Sequence, residues 1–541
     1  MARLTIGCAL PLALLVAACD LGPDFLRPQV EMPVAFRATP ATAASAWPSD
    51  DWWRGFNSPE LNDLIDQART QNFDIAAAIA RVRQADAQVR IAGAAMLPTL
   101  GATGSATWQQ VGITRIGLTS GATGRGSSTT ATADVHSYAA GLSAAYEVDF
   151  WGKNRAARQA AVAGAVFSRF DQQVVALTVV SNVANTWFTA LGLADRLAVA
   201  QRNLADTEQT LAVIRGRLDA GTATALDLAQ QQALVAGVRA TIPNFRNQME
   251  QQLIGLGILV GRPPEAVAVR PGTLDALALP PVAPGLPSAL LERRPDVAEA
   301  EAQLVAQNFD IKVARAAFFP SIQLTGTHGF ANAALSTLFT PGGTIASLVA
   351  GLTQPLFDAG TLRGQLEQAK GRYDELLADY RKAVVQAFTD VENALTAWRF
   401  TTEQEALARD AVATAQRAAD IARAQLAAGT VDITTVLTAE TTLFNDEDTL
   451  AQVRLARFQA LLNLYKAMGG GWTQPAGPIN DQFPGLEPGI LPGGIALPVG
   501  GRFSANDAAR ISDHSRNTLV GFPHHVAISI VIFAGIKRKR S

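Results

Sequence analysis

The chain is poor in the residues that do chemistry. Its 541 residues include only two cysteines, Cys8 and Cys19, and five histidines. A disulfide framework is therefore excluded. The histidines, at 136, 328, 514, 524 and 525, lack zinc-ligand spacing and a cysteine companion. Charge is scarce at 17% and balanced to a net −2, which removes any electrostatic argument for nucleic acid. There is no Walker loop and no dinucleotide fingerprint. The GxGxxxG at Gly255–Gly261 closes a helical pattern and follows no strand. No interior run reads as long and apolar enough for a transmembrane helix. These absences leave no catalytic constellation and no metal site.

What the chain has is a repeat. A shift of 208 positions lays residues 152–261 over 360–469, with no gap. Identical pairs include Arg155/Arg363, Asn185/Asn393, Arg215/Arg423, Gly221/Gly429, Thr222/Thr430 and Gly261/Gly469. Gly152 to Gly221 and Gly360 to Gly429 are both 69 residues. A long helix forbids insertions in this way, because one extra residue turns every later side chain by about 100°. At ~1.5 Å per residue each interval spans roughly 100 Å. The second carries a stripe at a 3.6 period, from Leu362 through Tyr373, Tyr380, Val384 and Val391 to Trp398. Shorter helices, 225–259 and 433–468, follow each glycine turn.

Before each long helix stand strand-like runs. In 138–150 the even positions, Tyr138 to Phe150, are apolar and the odd ones small or polar. Residues 99–108 alternate more weakly, and Gly117–Ala133 reads as a flexible loop. Ile322, Leu324, Leu348 and Leu352 continue the plan in the second half. Strands of about ten residues suit an outer membrane, yet four cannot close a barrel. Unpaired edges cannot sit in lipid, so in a membrane several chains must share one barrel; the alternative is a soluble β-layer buried against the helices.

The first 18 residues read as a signal peptide, ending in Val16-Ala17-Ala18-Cys19, which resembles a lipobox. The expectation is a covalent diacylglycerol and palmitate on Cys19 and no other cofactor. Asp20 follows directly, a residue that in enteric bacteria tends to hold lipoproteins at the inner membrane. Residues 58–95 read as one helix, capped by Asn57 or Ser58.

These residues resemble the outer membrane factor (TolC-like) family, in the lipoprotein branch that serves RND-type multidrug efflux pumps. The resemblance rests on Gly22-Pro23-Asp24-Phe25 with Arg27-Pro28, and on Trp52-Trp53-Arg54-Gly55-Phe56. Its most specific stretch is Gly285-Leu286-Pro287-Ser288 followed by Arg293-Arg294-Pro295-Asp296-Val297 and Phe319-Pro320-Ser321-Ile322. It covers roughly 19–472. The implied fold is mainly α with membrane β. Four strands per chain enter a shared trimeric 12-stranded β-barrel, continued by a long α-helical barrel with an internal two-fold repeat. The implied layout is an arm over 19–57, a first repeat over 58–261, an equatorial connection over 262–294, a second repeat over 295–469 and a Pro/Gly-rich tail over 470–541.

The resemblance further implies a homotrimer in the cell outer membrane, lipid-anchored, with its helical barrel in the periplasm. Its partners would be a periplasmic adaptor (membrane fusion) protein, an inner-membrane RND transporter and outer-membrane lipid. The function would be the passive exit duct. Type I protein secretion and a periplasm-spanning coiled-coil tether are the alternatives. Adaptor docking is expected at the helical tips, Arg215, Leu218, Gly221 and Thr222 with Arg423, Leu426, Gly429 and Thr430. The aperture candidates are Asp227, Thr435 and Thr438, and Asp227 is equally explained as favouring its helix terminus. The acidic residue the family often carries in the segment 436–439 is absent here, because that position is Thr438.

Overall fold

The computed structural model describes residues 22, 25–33, 36–37, 47–116, 128–267, 269, 272–281, 290–472, 490–491 and 495–496. The signal peptide, Cys19, Asp20, Gly285–Ser288 and most of the tail over 470–541 lie outside them. Two units are distinguished, Met1–Pro475 and Ala476–Ser541. In the second, the described residues form a short antiparallel pair, Ile490–Leu491 with Ile495–Ala496.

The first unit begins with α1 (Pro59–Gln71) and α2 (Phe73–Ala94), then β1 (Thr99–Ile116) and β2 (Ser128–Val148). The long helix α3 (Lys153–Asp219) and its return α4 (Ala225–Val260) complete the first repeat. The second comprises α5 (Pro295–Ala316), β3 (Ser321–Asn332), β4 (Thr344–Thr353), α6 (Thr361–Ala427) and α7 (Ile433–Ala467). Both long helices have 67 residues, about 100 Å each. Every residue of the α6 stripe from Leu362 to Trp398 is at least half-buried. α3 does contain a window apolar enough to cross a membrane, contrary to the sequence expectation. Half of that window is buried in protein, so it is a core helix by packing.

Residues 58–95 are two helices rather than one. Asn72 breaks them: its Oδ1 accepts from the Asp74 and Ile75 amides at 2.8 and 3.1 Å, capping α2. Its Nδ2 donates to the Leu259 carbonyl at 2.8 Å, tying the break to the end of α4. Gly261 closes α4 at φ 72°, where a Cβ would stand 2.2 Å from the Gln71 oxygen.

The main core lies midway along α3. Trp187, Phe188 and Leu191 pack there with Trp52, Phe56, Leu61, Ile65, Leu256, Phe458 and Tyr465. Trp52 stacks on Tyr465 at 4.9 Å, and Phe56 meets Phe188 edge-on at 4.9 Å. Trp187 is 34 residues from both Lys153 and Gly221, so the core belts the helices about 50 Å from either end. A second core packs Phe36, Leu290, Val297 and Leu304 against Tyr380, Val384 and Val391.

The stretch that carries the family resemblance is a staple in this belt. Arg294 donates to Asp296, to Asp390 at 3.0 Å and to the Ala467 carbonyl at 3.2 Å. It thereby ties the start of α5 to α6 and to the end of α7. Burial opposes its charge, but the hydrogen bonds and charges of Asp296 and Asp390 outweigh it and raise its pKa. Arg293 lies over the Trp47 ring at 4.7 Å.

Candidate functional site

The four strands form one antiparallel sheet in the order β1-β2-β3-β4. Its register sorts the side chains. Tyr138, Leu142, Tyr146 and Val148 pair with Asn332, His328, Leu324 and Ile322, so the apolar positions of neighbouring strands share one face. The opposite face carries Thr103, Ser105, Ser143, Gln323, Thr325 and Thr327. One face thus suits lipid and the other a water-filled lumen. Gly141 and Gly329 sit opposite one another, and a Cβ on Gly329 would stand 2.5 Å from Gly141 Cα. His328 falls on the apolar face and His136 opposite Trp108.

Aromatic residues mark the edges of this band. At the helix side Trp151 stacks on Phe319 at 4.7 Å, meets Phe150 edge-on and donates to the Pro320 carbonyl at 2.8 Å. At the far side stand Tyr138 and Trp108, with His136 opposite Trp108 and Gln110 and Asp134 beyond them. The ten residue steps from Tyr138 to Val148 rise about 34 Å along a strand, or about 26 Å when tilted by ~40°. That matches the ~25 Å apolar band of an outer-membrane barrel.

Strand lengths differ from the expected ten or so. β3 and β4 have 12 and 10 residues, but β1 and β2 have 18 and 21. Residues 128–133, read from sequence as loop, pair with 111–116. The strand propensity of its threonines outweighs the turn-like composition of this stretch.

Strand and helix are joined by short connections. Four residues separate β2 from α3, and seven separate β4 from α6. The wall of the sheet therefore continues into the long helices.

The helices reverse at two tips. Gly221 and Gly429 both sit at φ 73° with nothing near a built Cβ, so they serve the turn alone. The Thr222 amide donates to the Arg217 carbonyl at 2.8 Å, and Thr430 to Gln425 at 3.0 Å. Arg215 is exposed and Leu218 half-buried; among the described residues no ion pair with Arg215 is found.

Two residues proposed for docking are corrected by the structure. Leu426 is 5% exposed and packs with Ile214, Ile433 and Val436. Arg423 donates from Nε to the buried Glu440 at 3.0 Å and lies 3.4 Å from Asp206 and Asp420. Glu440 also accepts from Thr210 at 2.7 Å and Gln231 at 3.5 Å. These contacts join α3, α4, α6 and α7, so Arg423 and Leu426 hold the tips together and are not free for a partner. The pseudo-equivalent Arg215 and Arg423 thus stand in different surroundings, one exposed and one paired.

Asp227 accepts from the Thr224 amide at 2.7 Å, while Thr224 Oγ1 accepts from the Asp227 amide at 3.2 Å. This reciprocal box caps α4. In the second repeat the roles exchange. Asp432 stands 208 residues after Thr224, and Thr435 after Asp227. Asp432 Oδ1 accepts from the Thr435 amide at 3.1 Å and from the Thr434 and Thr435 hydroxyls. Those bonds hold its pKa below the usual carboxylate range. The second tip therefore keeps an acid, six residues before Thr438 and three before Thr435. The mirrored spacings Thr-x-x-Asp and Asp-x-x-Thr were the available signal. Thr438 is exposed and donates to the Thr434 carbonyl at 2.8 Å.

The profile of the outer membrane efflux protein family matches residues 64–262 and 286–470. The chain is 40% identical over 463 residues to the pyoverdine export outer membrane protein OpmQ of Pseudomonas aeruginosa, covering 85% of this chain and 95% of OpmQ. It is 30% identical over 465 residues to the cation efflux system protein CusC of Escherichia coli K12, covering 85% and 98%. The open-state Neisseria gonorrhoeae MtrE outer membrane channel superposes with a TM-score of 0.73 at 29% identity, over 84% of this chain and 99% of MtrE. The chain belongs to the outer membrane efflux protein family. It is an outer-membrane efflux channel, not an enzyme. Three copies each contribute four strands to one shared barrel, continued by a helical barrel.

Proposed function

We propose that this channel is the passive exit duct of a tripartite RND-type pump, carrying drugs or other small molecules out of the cell. The observation that carries this reading is the continuous wall. The sheet passes into two 67-residue helices through connections of four and seven residues, so one conduit crosses the membrane and reaches about 100 Å inward. Its energy comes from the inner-membrane transporter, and a periplasmic adaptor joins the two. The similarity to OpmQ and CusC supports small cargo over the protein cargo of type I secretion.

The adaptor docks on the tips through Arg215, Leu218, Thr222 and Thr430, with Gly221 and Gly429 making the turns. The aperture is formed by Asp227, Thr435 and Thr438 with Asp432, which gives two carboxylates per chain around a three-fold axis. Like charges so placed repel unless a cation or arginine stands between them.

A lipid on Cys19 anchors the arm. Gly22 lies against Lys312, while Trp47 lies over Arg293, so the arm runs along α5 toward the sheet. Arg27 pairs with Glu301, and Phe25, Val30 and Phe36 pack on the second core. Lys312 is nine residues before Ser321, about 14 Å along a helix. Gly22, against Lys312, therefore lies near the periplasmic edge of the barrel, which favours a lipid anchor at this height.

The test is site-specific photocrosslinking in cells from position 215 and from position 423. Capture of an adaptor from 215 and not from 423 is expected. Capture from 423 alone, or from neither, contradicts the docking assignment.

A further inference from the structure

The first hairpin is too long for the membrane it crosses. β2 pairs with β3 only from Tyr138 to Val148, ending at Asn332. Above that point Thr107–Ile116 pairs with Ser128–Ser137 and, among the described residues, with no other strand. β4, with 10 residues, is also too short to reach this height beside a neighbour's β1. Each chain therefore raises a two-stranded ribbon of ten residue pairs, about 34 Å long, on the outer side of the barrel. Both its edges present unpaired amides and carbonyls, and an isolated two-stranded ribbon is marginally stable in water.

We propose that the three ribbons join edge to edge above the membrane and form a six-stranded collar that constricts the outer mouth. The partner of each ribbon edge is the same ribbon in the neighbouring copy. In the barrel order, β2 of one chain and β1 of the next run in opposite directions, so they can form an antiparallel ladder once β3 and β4 have ended.

The geometry permits this with little bending. Twelve strands spaced ~4.8 Å and tilted ~40° close a ring about 24 Å across. Halving the strands halves the circumference and leaves a ring about 12 Å across. Each ribbon needs to lean inward by only about 6 Å over its ~34 Å. Eight strands already enclose a space that side chains fill, so six leave no open bore.

The lumen-side face of the ribbon fits that role. It continues the odd positions of both strands, Thr107, Gln109 and Val111 opposite Ser137, Val135 and Ala133. Val111 and Val135 are diagonal neighbours and are 38% and 48% exposed in one chain. The other face carries Trp108, Gln110, Asp134 and His136, with Gln110 donating to Asp134 at 3.2 Å. The collar thus turns its apolar pair to the axis and its polar face to water.

The inference rests on the trimeric barrel, and its test is independent of pump and adaptor. Ser143 lies on the lumen face inside the barrel. In intact cells, a Ser143→Cys channel should react slowly with an impermeant, polymer-linked maleimide added outside. Adding Val111→Asp and Val135→Asp, or replacing Thr107–Ser137 by an Asn-Gly turn, should speed labelling at least tenfold. Val135→Cys alone should give inter-chain dimers with a short bis-maleimide. Native mass spectrometry of each variant confirms the trimer and separates loss of the collar from loss of the barrel. Equal labelling of Ser143→Cys with and without the ribbon, in variants that remain trimeric, overturns the proposal. So does the absence of inter-chain dimers from Val135→Cys.

Discussion

Glu440 offers the sharpest test of how the tips are held. It is 3% exposed and receives Thr210 at 2.7 Å, Arg423 at 3.0 Å and Gln231 at 3.5 Å. Removing one partner of a buried ion pair costs roughly 3–5 kcal/mol. Here part is recovered, because Arg423 is 25% exposed and keeps Asp206 and Asp420 at 3.4 Å. Gln231 also keeps the Thr207 carbonyl at 2.9 Å. Glu440→Ala should therefore cost about 2–3 kcal/mol of local stability. At ~1.4 kcal/mol per decade, amide exchange in 206–214 and 420–440 should quicken roughly 30- to 150-fold, with the belt around Trp187 unaffected. Glu440→Gln keeps the shape and an acceptor and should cost about 1–2 kcal/mol. Hydrogen exchange read by mass spectrometry on the detergent-solubilised channel measures both. A change below threefold for Glu440→Ala would refute the claim that this carboxylate joins the four helices.

Cys19→Ser should abolish incorporation of radiolabelled palmitate while the channel still inserts, since the barrel makes the larger membrane contact; label persisting in the variant contradicts the anchor. Gly469 and Gly429 should differ: a Cβ at Gly469 would stand 1.9 Å from the Arg293 oxygen at φ 85°, so Gly469→Ala should cost about 3 kcal/mol or more. At Gly429 the space is open and only the positive φ opposes alanine, at about 1–2 kcal/mol; thermal melts compare the two. Glu299 is pushed up to about 7 by burial and by the nearby Asp171 and Asp296 charges. Its folded pKa lies above the ordinary 4.5, so the fold binds the proton more tightly and loses stability as pH rises from about 4.5 to about 7. Glu299→Gln should raise the melting stability by about 1–2 kcal/mol at pH 8, after allowing for solvent screening, and leave it unchanged near pH 4; equal effects at both pH values contradict this origin.

The long helices were legible because insertion is forbidden in them and their stripe holds one period. The α6 positions from Leu362 to Trp398 are the buried face for that reason. The lumen and lipid faces were legible in 138–150, where alternation is strict. The ribbon was not, because its upper part pairs only with itself in water, where nothing demands a hydrophobic period. The break at Asn72 was hidden inside an unbroken helical pattern; only the contact with Leu259 and Gly261 makes it necessary. The tips show the same limit. Repeat symmetry made Arg215 and Arg423 equivalent, whereas Glu440, which stands opposite Gln232 in the alignment of repeats, decides that only Arg423 is bound. Asp432 was not legible because it stands outside the family's acidic positions, and only capping chemistry places an acid at either end of the box.

The central claim is that the chain is a passive conduit driven from the inner membrane. The direct measurement places this trimer in one set of liposomes and the inner-membrane transporter with its adaptor in another, with a proton gradient across the second. A fluorescent transporter substrate should pass into the first set only when all three components are present, and at a rate set by the gradient. Equal transfer without this chain, or uptake by its liposomes with no transporter present, would contradict the account.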